Sequence, residues 1–579
     1  MISHKQQVNA ATGANAATLT HTVGYGYTNG QLTSITYPSG RQLTVTYTAG
    51  VPTAISLAKD TSTAGTPLIT GIQWQPFGGV KHWDWQLASG SQSNDRTYDT
   101  AGRLVRYRLG TTLRDLSYDA ADRISSYKHY DATTGAAQTA LDQTFSYDEL
   151  GRLTGITANG STWSIGYDAN GNRTGVTLNG ASSSYSISAT SNRITGISNP
   201  ARSFGYDAAG NTTADGNYTA TYDTSGRLAT LTKAGVTSSF SIDALGRRVR
   251  KFDSSGAAST VVFVYGLGGE LLGEYDSTGK AIREYAWLGS TPIAVFTPDP
   301  ASATNPPLVY FIHADHIDTP RLIVDKNNAL RWRWLAEPFG TTAPENNPAG
   351  LGVFTFNLRF PGQYFDQGTG LNQNWFRDYD ASLGRYAQSD PIGLNGGINT
   401  YAYVDGNPLS GIDPLGLFTT SADAACTRDP VFCAEIMGAA PKPMVVPPIV
   451  VPPIPAAPAP AVPAPSPAPT PQPVPPVVPQ PVPLPPASPA GAPMGNNCPE
   501  QCDPPEGTIC SDFHVNSTPH TTRDIDGNNI GKQPNHVHIW RMNKSPKGCI
   551  WNRATALNYT PTNARACRTY PSWVAQHGR

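Results

Sequence analysis

Tyr98-Asp99-Thr100-Ala101-Gly102-Arg103-Leu104 and Tyr147-Asp148-Glu149-Leu150-Gly151-Arg152-Leu153 are two copies of one seven-residue unit. A third copy is Tyr222-Asp223-Thr224-Ser225-Gly226-Arg227-Leu228, a degraded one is Ile242-Asp243-Ala244-Leu245-Gly246-Arg247, and variants begin at Tyr118, Tyr167 and Tyr206. Successive starts lie 20, 29, 20, 39, 16 and 20 residues apart, which is a period near 20 with insertions. Asp-x-x-Gly is turn chemistry: the Asp carboxylate bonds backbone two residues on, and Gly tolerates positive φ. The flanking segments alternate, as in Thr162-Trp163-Ser164-Ile165-Gly166-Tyr167, which is the period-two pattern of strands with one buried face. One hairpin is marginal alone, whereas stacked neighbours bury a continuous face. The spacing predicts a mainly β chain with an array of these Tyr-Asp hairpin units over residues 21–310. The polar Ala/Thr/Asn-rich stretch of residues 1–20 is expected to be disordered.

Composition agrees with this reading. Of 579 residues only 14% are charged, while Gly (56) and Pro (51) are abundant and Tyr (26) outnumbers Phe (17). A helical bundle needs more Lys, Glu and Leu than this. A formal net charge of −1 gives no global field toward nucleic acid or an anionic membrane. No apolar run reaches the ~20 residues of a membrane span, because prolines interrupt the richest one, Met444 to Pro455. The first residues contain no apolar core of a signal peptide, so export without a cleavable signal is expected. All seven cysteines lie between Cys426 and Cys567, which divides the chain into two chemically different regions.

Three stretches downstream of the repeats extend the pattern. They are Phe311-Ile312-His313-Ala314-Asp315-His316-Ile317-Asp318-Thr319-Pro320-Arg321, then Phe360-Pro361-Gly362-Gln363-Tyr364-Phe365-Asp366, then Asn374-Trp375-Phe376-Arg377-Asp378-Tyr379-Asp380 running on to Gly384-Arg385-Tyr386. With the YD units, they resemble the RHS and teneurin-type YD-repeat proteins, and residues 311–417 resemble the RHS-associated core. The resemblance implies a spiral or shell of stacked β-hairpins around a C-terminal toxic or signalling segment.

Asp390-Pro391-Ile392-Gly393-Leu394 and Asp413-Pro414-Leu415-Gly416-Leu417 repeat one motif 23 residues apart. Each reads as a turn, with Asp first, Pro second and Gly fourth. A pair of carboxyl groups held close can also share a proton and divide acid and base roles, as in aspartic proteases. Spacing alone does not bring Asp390 and Asp413 together. The family resemblance supplies that step, implying self-cleavage just after the second motif, between Leu417 and Phe418, with no cofactor. Arg385, five residues before Asp390, is a weaker candidate for holding a carboxylate or polarising the carbonyl.

Residues 418–440 read as a short connector. Residues 441–494 hold 24 prolines and almost no charge, a composition that favours polyproline II and a semi-rigid linker. Residues 495–579 read as a small α+β module carrying five of the eleven histidines and nine Lys/Arg against six Asp/Glu. That mild basicity favours a polyanionic target. In Asn535-His536-Val537-His538-Ile539, strand alternation puts His536 and His538 on one face. Such a pair suits either ligation of a divalent metal or metal-free acid–base cleavage of RNA, and Asp512, His514 and His520 can complete either set. An HxH pair is equally read as a surface or core pair. Cys498, Cys502 and Cys510 do not have zinc-ribbon spacing.

Two functions follow. The first is an RHS-type polymorphic toxin, made in the producer cytoplasm and delivered into a competitor by a type VI or similar secretion apparatus. It would self-cleave to free a tail, expected to be a nuclease, and pair with a cognate immunity protein. The second is a structural or adhesive cell-surface protein whose hairpins display a non-enzymatic binding module.

Overall fold

The computed structural model describes residues 2–421, apart from 10–17, 77–78, 256–259 and 303, together with the strands 509–523, 529–545 and 548–558. The segments 422–508 and 559–579 lie outside the described residues, and with them the connector beyond Ser421, the proline-rich linker and five of the seven cysteines. Residues 1–451 and 452–579 are separate units. Among the described residues, no helix is long and apolar enough to cross a membrane.

The first unit is a meander of antiparallel strands, each paired with the next, in sheets of eighteen and thirteen strands. Its hairpins show what the YD unit does. In the turn after Tyr98, Gly102 N–H donates to the Asp99 carbonyl at 3.0 Å. Asp99 Oδ1 accepts from the backbone of Ala101 and Arg103, each at 2.9 Å. Arg103 Nε donates to Asp99 Oδ2 at 2.7 Å. The same guanidinium lies 4.6 Å from the ring of Tyr118, the tyrosine of the following unit, whose hydroxyl donates to the Leu104 carbonyl at 2.8 Å. Arg123 and Tyr147 repeat the stack at 4.7 Å, and Arg152 and Tyr167 repeat it at 4.8 Å. The Tyr147 and Tyr167 hydroxyls donate to the carbonyls of Ile124 and Leu153. Tyr and Arg of the motif therefore join successive hairpins, while Asp and Gly build each turn.

Sequence reading placed disorder over residues 1–20. The structure instead has a strand, Ile2–Asn9, paired antiparallel with Thr18–Thr28, Ile2 opposite Tyr25. The polar composition hid an alternation in which Gln6 and Val8 are buried, and Gln6 Nε2 donates to the Phe263 carbonyl at 2.8 Å. The expected boundary at 310/311 also falls inside a continuous ladder. Thr291–Thr297 pairs with Leu308–Ala314, and that strand pairs with Pro320–Asp325. The meander ends at Leu330–Arg333. For the tail, the described residues form a three-stranded antiparallel sheet, and the helical part expected of an α+β module lies outside them.

Burial divides the meander in two. Strands such as Ala181–Ile187 alternate between partly buried and exposed positions, with small hydroxyl side chains outward. Strands from Thr260–Tyr265 to Pro320–Asp325 are covered on both faces. Val262, Val264, Phe296, Phe311 and Val324 pack with Tyr25, Ile55 and Trp85 of the N-terminal strands. Their neighbours Phe263, Val295, Tyr310, Ile312 and Ile323 pack with Phe354, Phe356, Tyr379 and Tyr403 of the C-terminal core. Continuous apolar runs such as Val261-Val262-Phe263-Val264 follow from this double burial. Polar ties cross the first core: Tyr37 donates to the Tyr285 carbonyl at 2.7 Å, and Arg41 pairs with buried Glu284 at 2.7 Å.

That core also encloses His313, whose ring lies 5.3 Å from Trp85 and whose two ring nitrogens have no hydrogen-bond partner. Burial, with Arg108 nearby, lowers its pKa to about 3. The folded state thus binds this proton later than the unfolded chain, so stability is lost as pH falls through the window from 6.5 to about 3. His313→Leu should remove about 2 kcal/mol of the destabilisation seen between pH 7 and pH 5 in urea unfolding. An unchanged pH dependence would place that proton uptake elsewhere.

Candidate functional site

The two Asp-Pro-x-Gly-Leu turns meet around a hairpin tip. Asn372–Asn374 and Arg377–Asp380 pair with Asn374 opposite Arg377, and the next strand, Arg385–Tyr386, puts Tyr386 opposite Tyr379. The second turn seats on the tip: Phe376 N–H donates to the Leu415 carbonyl at 3.0 Å, and Asn374 Nδ2 donates to the Asp413 carbonyl at 2.9 Å. Gly416 is required there twice over. Its φ is +68°, and a side chain would collide with the Asn374 carbonyl oxygen. The first turn closes by Gly393 N–H to the Asp390 carbonyl at 2.9 Å, while Asp390 Oδ1 accepts from Ile392 N–H at 2.9 Å.

Both carboxyl groups are buried and share one nitrogen. Arg377 Nη2 stands 3.0 Å from Asp390 Oδ2 and 3.3 Å from Asp413 Oδ2. The rest of that guanidinium is also committed. Nε donates to the Gly416 carbonyl at 2.6 Å, Nη1 donates to the Thr400 carbonyl at 3.2 Å, and the group stacks 3.7 Å from the Tyr386 ring. Tyr386 donates its hydroxyl to Asp413 Oδ2 at 2.7 Å and accepts from Asn374 Nδ2 at 2.8 Å.

The predicted scissile peptide lies against both acids. Asp413 Oδ1 accepts from Leu417 N–H at 2.9 Å and from Phe418 N–H at 3.3 Å. On the other side, Asp390 Oδ2 and the Leu417 carbonyl oxygen crowd the same face of Gly396 and lie no more than about 5 Å apart. The Asp413 carboxyl accepts from Tyr386, Leu417 and Phe418 and meets Arg377. Burial raises the pKa of Asp390, the Asp413 charge adds to the rise, and Arg377 and the Ile392 N–H oppose it. Asp390, beside the carbonyl oxygen, therefore keeps its proton more readily than an ordinary carboxyl group.

Arg385 is not part of this cluster. Its Nη2 donates to the Asn192 carbonyl at 2.7 Å and its guanidinium stacks 4.4 Å from Tyr401, with burial lowering its pKa to about 10. Closeness in sequence to Asp390 misdirected that assignment, because Arg385 faces the repeat array while Arg377, thirteen residues before Asp390, faces the turns. In the tail, ladder register sets Asp512 opposite His538 and His514 opposite His536, so these four positions share one face of the sheet. His520 falls beyond an irregularity in that ladder, opposite Gln533.

The meander with its C-terminal core has the fold of YD-repeat shells. Residues 131–401 match the family model described as Teneurin YD-shell. Among curated proteins, the chain is 33% identical over 242 residues to double-stranded DNA deaminase toxin A of Burkholderia cenocepacia, covering 37% of this chain and 17% of that protein. It is 40% identical over 109 residues to toxin protein Tse5 of Pseudomonas aeruginosa, covering 19% and 8%. It is 35% identical over 107 residues to probable deoxyribonuclease RhsA of Dickeya dadantii, covering 18% and 7%. The chain thus spans less than a fifth of the length of each of these relatives. Among solved structures it resembles the Photorhabdus luminescens Tc holotoxin pore, with TM-score 0.58 and 18% identity, covering 72% of this chain and 23% of that one.

Tyr386→Phe should measure how firmly the site is built. It removes the hydroxyl that links Asn374 to Asp413, and a lost hydrogen bond to a charged group costs about 1.5–3 kcal/mol. Urea unfolding of the variant should show a loss of that size, and an unchanged midpoint would mean the hydroxyl contributes nothing to holding Asp413.

Proposed function

We propose that this chain is an RHS-type toxin that hydrolyses its own Leu417–Phe418 bond, separating a C-terminal effector from the β array. The observation that carries this reading is the position of that peptide: its carbonyl oxygen lies beside the Asp390 carboxyl and its N–H donates to Asp413. Water attacks the Leu417 carbonyl carbon and gives a proton to Asp413, while protonated Asp390 donates to the carbonyl oxygen. When the C–N bond breaks, Asp413 passes the water's proton to Phe418 N and the acid proton returns to Asp390. The products are a Leu417 carboxyl group and a Phe418 amine. Arg377 holds both carboxylates in place and binds the Gly416 carbonyl next to the reacting peptide.

Relatives named as a DNA deaminase toxin and a probable deoxyribonuclease support nucleic acid as the tail's target class. The shared face of Asp512, His514, His536 and His538 supports hydrolysis by paired imidazoles, with or without a divalent metal. On this reading the toxin acts between competing bacteria, leaves the producer through a secretion apparatus, and is neutralised there by a cognate immunity protein.

The purified chain should split after Leu417 into pieces of 417 and 162 residues, with the break placed by mass spectrometry. Asp390→Asn and Asp413→Asn should each leave one band, and persistent splitting would remove the acids from the mechanism. Arg377→Gln should slow the cut at least tenfold, whereas Arg385→Lys should leave it unchanged. On refolding from denaturant the rate should fall as pH rises through the elevated pKa of Asp390, because the acid form is lost. The full chain expressed in a bacterium should arrest growth and degrade nucleic acid, and His536→Ala or His538→Ala should abolish both effects. Normal growth with intact nucleic acid would exclude the nuclease reading.

A further inference from the structure

Gly396 ends the short 3-10 turn Gly393–Gly396 between the two Asp-Pro motifs. Its neighbours Gly393 and Gly397 have φ of +60° and +131°, so the backbone itself calls for glycine at both. Gly396 has no such φ, and an alanine there would meet no backbone strain. What excludes a side chain is space. A Cβ at 396 would stand 2.6 Å from the Leu417 carbonyl oxygen and 3.0 Å from Asp390 Cγ, and would collide with Asp390 Oδ2. At Gly393 nothing lies within 4 Å of the corresponding point.

We propose that Gly396 is a positioning residue for self-cleavage. Its bare Cα lets the scissile carbonyl and the Asp390 carboxyl approach each other from opposite turns. This inference rests on the self-cleavage reading above. Neither neighbour can give way cheaply. Asp390 is pinned by Arg377 at 3.0 Å and by Ile392 N–H at 2.9 Å. The Leu417 peptide is pinned by its N–H on Asp413 at 2.9 Å and by Arg377 on the preceding carbonyl at 2.6 Å. A methyl group must therefore separate the acid from the carbonyl by several tenths of an ångström to about 1 Å, a displacement that can cost about 100-fold in rate.

The test uses the full chain, refolded from denaturant and sampled over time on gels, with trypsin resistance of the array as the measure of folding. Gly396→Ala should cleave about 100-fold more slowly than the unsubstituted chain, and Gly396→Val more slowly still, both with unchanged trypsin resistance. Packing a methyl against the Asp390 carboxyl also excludes water, so the alkaline limb of the Gly396→Ala pH–rate profile should move to higher pH. Asn395→Ala, which truncates an exposed side chain of the same turn without entering the site, should cleave at the unsubstituted rate. Unslowed cleavage of Gly396→Ala while Asp390→Asn stays whole overturns the positioning role and leaves the self-cleavage reading intact. Lost trypsin resistance in Gly396→Ala overturns it too, making Gly396 a requirement of the fold. Splitting of Asp390→Asn removes the self-cleavage reading itself.

Discussion

The array depends on one recurring contact, the tyrosine of each repeat laid on the arginine of the repeat before it. Arg103–Tyr118, Arg123–Tyr147 and Arg152–Tyr167 stack at 4.6–4.8 Å, with each arginine held by the aspartate of its own turn. A partly exposed Asp–Arg pair is worth little alone, usually under about 1 kcal/mol. Here the pair fixes a guanidinium as a flat surface for an aromatic ring, and the ring's hydroxyl then ties down a carbonyl of the preceding strand. Each hairpin is thereby completed by its successor. That explains how a meander of more than thirty strands persists although each hairpin alone is marginal.

The C-terminal core uses the same chemistry at higher stakes. Arg377 stacks on Tyr386 and meets carboxylates, yet it meets two and is buried. Two buried anions repel each other, and a single guanidinium between them offsets only part of that repulsion. Asp413 collects further donors from Tyr386, Leu417 and Phe418, whereas Asp390 outside the Arg377 contact has only the Ile392 N–H. The asymmetry comes from the turns. Both begin Asp-Pro, but only the second is followed at once by the peptide that lies in the site. Two copies of one motif thus acquire different hydrogen-bond surroundings.

Much of this was legible in the sequence. Asp-x-x-Gly turns and period-two alternation are local signals, and they gave the hairpins and the mainly β class. Local signals do not carry partner identity. The repeat's Tyr and Arg looked like members of one unit and join two. Gln6 looked solvated, and its amide nitrogen donates to Phe263 on a strand more than 250 residues away. Arg385 was the weaker candidate on the strength of its nearness to Asp390, and Arg377 went unnamed, because the chain reverses between their two antiparallel strands and only Arg377 meets the turns. Gly396 stood inside a Gly-Gly pair that reads as a loop, and the steric reason for it exists only once Leu417 is brought back against it.

The geometry also bears on when a chain so arranged would cut itself. Asp390, Asp413 and Leu417 converge only after the hairpin bearing Asn374 and Arg377 has formed, since the second turn seats on its tip. That hairpin is fastened to the array by buried charges: Arg248 pairs with Asp378 at 2.8 Å, and Arg248 and Lys251 both meet Asp366. An incomplete sheet lacks these partners and leaves Asp378 buried without a counter-charge, a cost of several kcal/mol. On the proposed mechanism, hydrolysis is therefore contingent on a completed array. An intramolecular site of this kind gains its rate from orientation, so a partly folded chain with the same acids free to rotate would forfeit most of it. The cut would then come last, after the fold that holds it.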